Sequence, residues 1–143
     1  MTDQIIETDL MRQLIEDEGF VSYVYEDSLG YLTIGIGRMV DKRKGGGITR
    51  NEALYLLQND IDRVTKELKT TFSWFDNLSY NRRNVLINMC FNLGLSNLLK
   101  FKNTLSAIEM GDYKSAAQGM RNSLWYKQVG HRAERLARIM ENF

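Results

Sequence analysis

The chain has 143 residues, 43% of them hydrophobic, enough for one compact domain with a continuous core. Nineteen lysines and arginines against 18 aspartates and glutamates leave a formal charge of +1, so no whole-chain field favours nucleic acid or an acidic membrane surface. No apolar run approaches the length of about eighteen residues that a membrane-spanning helix needs, so no membrane insertion is expected.

The stretch Met1 to Asp9 is polar and acidic, without a basic region followed by an apolar one, so no secretory signal is expected. Ile6, Leu10, Met11, Leu14 and Ile15 then recur at helical spacing, which predicts an amphipathic helix ending at about Glu18 and stopped by Gly19. Tyr23-Val24-Tyr25 predicts a strand, Asp27-Ser28-Leu29-Gly30 a turn, and Tyr31 to Val40 a second strand, together a β-hairpin or small sheet. Asp41 to Gly47, charged and with three successive glycines, reads as a loop. Thr49-Arg50-Asn51-Glu52 has capping-box spacing and opens a long helix over residues 50–69.

Beyond Trp74 the pattern is helical throughout. It predicts Arg82 to Leu93 closed by Gly94, Leu98 to Met110 closed by Gly111, Tyr113 to Met120, and His131 to Asn142. Cys90, the only cysteine, lies in the apolar run Val85 to Leu93 and is expected to be a small core residue. Trp125 and Tyr126 are likewise expected in the core, and His131 is a polar residue at a helix start. The fold class is α+β, mainly α. A first lobe over residues 8–48, a bridging helix over 50–69 and a helical lobe over 74–143 together make one domain.

Glycosidic hydrolysis needs a carboxylic acid to assist the leaving group and a second carboxylate that activates water or attacks the sugar. Glu18 follows Met11, Leu14 and Ile15 on the apolar stripe, so partial burial and the negative end of the helix are both expected to favour its protonated form. Asp27 lies at the hairpin turn. Strand alternation would put Leu32, Ile34 and Ile36 on one face and Tyr31, Thr33, Gly35 and Gly37 on the other. A face with a hydroxyl and two glycines suits close approach of a sugar chain. No His, Cys or carboxylate cluster has ligand spacing, so neither a metal nor a cofactor is expected.

The segment running from Glu18-Gly19 through Glu26-Asp27-Ser28-Leu29-Gly30-Tyr31-Leu32-Thr33-Ile34-Gly35-Ile36-Gly37 closely resembles the catalytic signature of phage-type lysozymes, glycoside hydrolase family 24. The resemblance continues in Ile87 to Gly94, in Gly111-Asp112-Tyr113, and in Ser123-Leu124-Trp125-Tyr126 followed by Arg132-Ala133-Glu134-Arg135, and so covers nearly the whole chain. It implies a lysozyme-like fold and a muramidase cutting the β-1,4 bond from N-acetylmuramic acid to N-acetylglucosamine. Glu18 would be general acid, Asp27 and Thr33 would position and activate water, and inversion would follow. Met39, Phe91, Asn92 and Thr104 match substrate-contacting positions in a cleft between lobes. Arg132 matches an arginine that pairs with the catalytic glutamate or its neighbour, here Asp17.

Three departures from the family pattern stand out. Arg38 replaces a frequent histidine whose acidic partner survives as Asp60, so an Arg38–Asp60 ion pair is expected, without the titration a histidine would have near neutrality. The loop Asp41 to Gly47 is short, and Leu29 replaces a frequently polar turn residue. The expected partner is the peptidoglycan glycan strand, with no nucleic acid, and the expected state a monomer. The resemblance also implies an endolysin held in the host cytoplasm until a holin lesion releases it to the wall, for host lysis. The other readings weighed are an inactive peptidoglycan-binding or baseplate component, a nucleic-acid-binding helical protein and a lytic transglycosylase. The presence of Glu18 speaks against the first, and neutral charge balance against the second. Asp27 and Thr33 beside the acid favour hydrolysis over the third.

Overall fold

The structure is a computed structural model that describes residues 6–44 and 46–143. Residues 1–5 of the Met1 to Asp9 stretch and Gly45 of the Asp41 to Gly47 loop lie outside the described residues. The protein is mainly helical, with one small antiparallel sheet. It forms two compact units, residues 1–59 and 60–143.

In the first unit, helix α1 spans Asp9–Glu18. Thr8 caps it by accepting from the Met11 backbone N–H at 3.1 Å, and Gly19, at φ 75°, ends it. The sheet follows as β1 (Val21–Glu26), β2 (Leu32–Gly35) and β3 (Arg38–Met39), in that spatial order. Tyr25 pairs with Thr33 and Glu26 with Leu32, and on the other side of β2 Thr33 pairs with Met39 and Ile34 with Arg38.

The sequence predicted one strand from Tyr31 to Val40; the structure divides it. Gly35 and Gly37, at φ 70° and 66°, hold left-handed backbone that strands do not use, and the chain reverses there. Gly35 is therefore the last residue of β2 and Gly37 a residue of the turn that follows, so the two do not share a continuous sugar-facing strand face. The expected alternation also fails for burial: Ile36 is exposed, whereas Thr33 is the one fully buried residue among the described residues of the first unit.

Helix α2 (Arg50–Thr71) opens with the anticipated capping box. The Thr49 N–H donates to Glu52 Oε1 at 3.1 Å, and the Glu52 N–H donates to Thr49 Oγ1 at 3.2 Å. The boundary between the two units falls within this helix.

The second unit contains a 3-10 turn at Phe75–Asn77, then α3 (Tyr80–Leu93), α4 (Leu95–Leu98), α5 (Lys102–Glu109), α6 (Tyr113–Arg121), α7 (Leu124–Val129) and α8 (His131–Asn142). Of the expected helix from Leu98 to Met110, the structure forms α5, and Leu98 instead ends the unanticipated α4, with an irregular turn at Phe101 between them. Leu68, Leu86, Met89, Ile108, Met120 and Met140 form the centre of the core, and Cys90 and Trp125 join it as expected. Burial pushes the Cys90 thiol above its usual range. Gly119, inside α6, faces Thr104 Oγ1 so closely that a β-carbon would collide with it, which explains a residue that weakens a helix interior.

Candidate active site

Asp27 makes the turn between β1 and β2. Its Oδ1 accepts from the backbone N–H of Leu29 at 2.9 Å and of Tyr31 at 2.8 Å, while its own N–H donates to the Tyr31 carbonyl at 2.8 Å. This is the local closure that suits aspartate to turns, and it fixes the carboxyl plane. Among the described residues nothing donates to Oδ2.

Thr33 sits in the middle strand, 4% exposed, and its hydroxyl donates to the Tyr31 carbonyl at 3.1 Å. Having used its only hydrogen there, Oγ1 is left as an acceptor. The Tyr31 peptide groups thus hold both side chains, the N–H gripping Asp27 and the carbonyl gripping Thr33.

Glu18 ends α1, and its carboxylate rests against the β2–β3 turn at Gly37. The helical spacing does place it beside Met11, Leu14 and Ile15, but the expectation of burial is not met. Glu18 is exposed, α1 has no buried residue, and Ile6, Leu10, Met11 and Leu14 are exposed as well. Amphipathic spacing states which residues share a face; it does not state what covers that face.

The expected Arg38–Asp60 pair is replaced. Arg38 donates to Glu52 Oε2 through Nε at 3.0 Å and through NH2, and Asp60 instead lies 3.6 Å from Arg63, one turn along its own helix. Glu52 is available as the partner because the capping box fixes its carboxylate at the start of α2. The Arg38 guanidinium, ahead of the Thr49 N–H, holds the Glu52 carboxyl below the usual carboxylate range. Arg132 donates to Asn88 Oδ1 from Nε at 2.9 Å and from NH2 at 2.7 Å, and Asp17 is exposed on α1. Sequence reasoning missed both Glu52 and Asn88 as arginine partners. Glu52 carried a signal, since its capping position was already assigned.

Of the four substrate-contact candidates, Met39 belongs to the first unit and Phe91, Asn92 and Thr104 to the second. Met39 is exposed on β3 and pairs with Thr33. Phe91 is exposed and lines a cavity of about 350 Å³ with Asp60, Arg63 and Glu67. Thr104 is buried at the floor of a groove of about 820 Å³ that Phe101, Trp125, Lys100 and Lys102 also line. Asn92 accepts the Trp125 indole N–H at 2.8 Å, so it orients a groove residue. His131 begins α8 and is exposed. Among the described residues no group of His, Cys, Asp and Glu could hold a metal, and no helix is long and apolar enough to cross a membrane.

The Phage lysozyme family profile matches residues 15–139 of the chain. The chain is 30% identical to "Probable T4-type lysozyme 1" of Dictyostelium discoideum, an alignment that covers 87% of this chain and 89% of that protein. It is also 30% identical to the "Pre-baseplate central spike protein Gp5" of Enterobacteria phage T4, over 97% of this chain and 28% of that protein. It is 28% identical to the "Peptidoglycan hydrolase gp36" of Pseudomonas phage phiKMV, over 90% of this chain and 15% of that protein.

Proposed function

The chain belongs to the phage lysozyme family, and on that premise we propose that it hydrolyses peptidoglycan with Glu18 as general acid and Asp27 and Thr33 as the residues that hold the attacking water. The observation carrying this reading is the shared anchorage of Asp27 and Thr33 on Tyr31. Asp27 Oδ2 and Thr33 Oγ1 are both acceptors, so one water can donate a hydrogen to each and keep a lone pair for the anomeric carbon, and Asp27 takes the proton that this water loses as the new C–O bond forms. Glu18, whose carboxylate rests against the β2–β3 turn, protonates the departing glycosidic oxygen.

The bond is the β-1,4 link from N-acetylmuramic acid to N-acetylglucosamine, cut with inversion because the second carboxylate holds water instead of attacking the sugar. Met39, which pairs with Thr33 across the sheet, contacts the glycan strand. The protein acts as a monomer and as a phage endolysin, waiting in the host cytoplasm until a holin opens the membrane. Digestion of purified peptidoglycan tests the chemistry. Reducing N-acetylmuramic acid ends, formed first as the α-anomer by NMR, are expected. Anhydro-muramic ends would identify a transglycosylase, and an initial β-anomer a retaining enzyme.

A further inference from the structure

Among the glycines of the catalytic signature, Gly35 and Gly37 lie at the β2–β3 turn, and the chemistry does not use them. Both have positive φ, 70° and 66°, so both resist any side chain by the same backbone argument. They differ in surroundings. A β-carbon on Gly35 would meet nothing within 4 Å, whereas one on Gly37 would fall 2.5 Å from Glu18 Oε2, 2.8 Å from Cδ and 3.0 Å from Cγ. The end of the Glu18 side chain therefore occupies the volume that a side chain at 37 would take.

We propose that Gly37 is a positioning residue for the acid: its bare α-carbon is the notch that receives the Glu18 carboxylate and sets its place against the sheet carrying Thr33. The inference rests on Glu18 being the acid. The notch is held firmly on both sides. Ile34 pairs with Arg38 and Thr33 with Met39 across the turn, and the Arg38 side chain is tied to Glu52. The turn that seats the carboxylate is thus built on the same strand as the water-holding hydroxyl, and a shift of the carboxylate changes the distance between the two.

The intruding atom at 37 would meet the flexible end of a glutamate, not backbone, so the clash is relieved by displacing the carboxylate while the fold persists. Gly37→Ala should lower kcat about a hundredfold with KM nearly unchanged, the scale of a misplaced catalytic group. Gly35→Ala carries the same backbone strain without the collision and should keep kcat within about twofold. Melting temperatures supply a second measurement. Glu18→Ala empties the notch, so it should reduce the melting-temperature loss caused by Gly37→Ala and leave that caused by Gly35→Ala as it was. Equal kcat for the two glycine variants overturns the proposal. So does a Gly37→Ala melting-temperature loss that Glu18→Ala does not reduce, a test that holds even where the variant is too unstable to assay. Full activity in Glu18→Gln would remove the acid assignment itself, an outcome neither glycine variant can mimic.

Discussion

The Thr33 hydroxyl donates to the Tyr31 carbonyl across 3.1 Å, and that single bond decides what the threonine can still do, which is accept. Thr33→Val preserves shape in a buried site and deletes the hydroxyl, both the hydrogen it donates to Tyr31 and its capacity to accept. Stability should change by about 1 kcal/mol or less, because the Tyr31 carbonyl loses one partner but keeps the Asp27 N–H. Activity should fall by about 10² to 10³. Thermal unfolding beside a rate assay on purified peptidoglycan separates the two.

The Asn92–Trp125 bond is a stability determinant in the second unit. Trp125 is 4% exposed, and its indole N–H has Asn92 Oδ1 as its partner at 2.8 Å. Asn92→Ala should destabilise by about 1–3 kcal/mol through the orphaned donor. Trp125→Phe in the Asn92→Ala background should recover part of that loss, since it removes the donor as well. Denaturant unfolding of the double-mutant cycle measures it.

The start of α2 yields a ranking. Thr49→Ala removes the cap and should lower stability by about 1 kcal/mol. Arg38→Ala removes an exposed ion pair, with 60% of the arginine side chain accessible, and should lower the melting temperature less than Thr49→Ala. A result in the opposite order would mean that the Arg38–Glu52 link contributes more than exposed pairs do.

Acid sensitivity should concentrate in the network around Glu134. Arg121, then the Tyr126 hydroxyl, holds the Glu134 carboxyl below its usual range, at 3.1 Å and 3.0 Å. A carboxylate with a depressed folded pKa stabilises fully above its unfolded pKa, and that contribution is lost as pH falls through the folded value. The melting temperature should therefore hold from neutrality to the ordinary glutamate range and decline below it. Glu134→Gln should begin lower at neutral pH and decline less steeply, which calorimetry across pH would record.

How much of this was legible in the sequence depended on the range of the interactions involved. α1, the Asp27 turn, the capping box at Thr49 and the helices α6 and α8 were readable because caps, glycine stops and apolar spacing are local. The break between β2 and β3 was missed because the alternation Leu32-Ile34-Ile36 runs straight through two glycines that adopt turn geometry. The short α4 escaped because four residues carry no period, while α7 had local marks in the Ser123 cap and Gly130. At the site, the placement of Asp27 in the hairpin turn was legible, and Glu18's apolar companions suggested burial. That suggestion failed because burial depends on what lies opposite, which helical spacing does not encode.

The central claim is that Glu18 supplies the proton, and clearing of permeabilised Gram-negative cells by wild type and by Glu18→Gln tests it most directly. Glutamine keeps the size of the side chain and removes the proton donor, so the variant should fold with an unchanged melting temperature and clear cells about 10³-fold more slowly or not at all. Clearing at the wild-type rate by the folded variant would contradict the account.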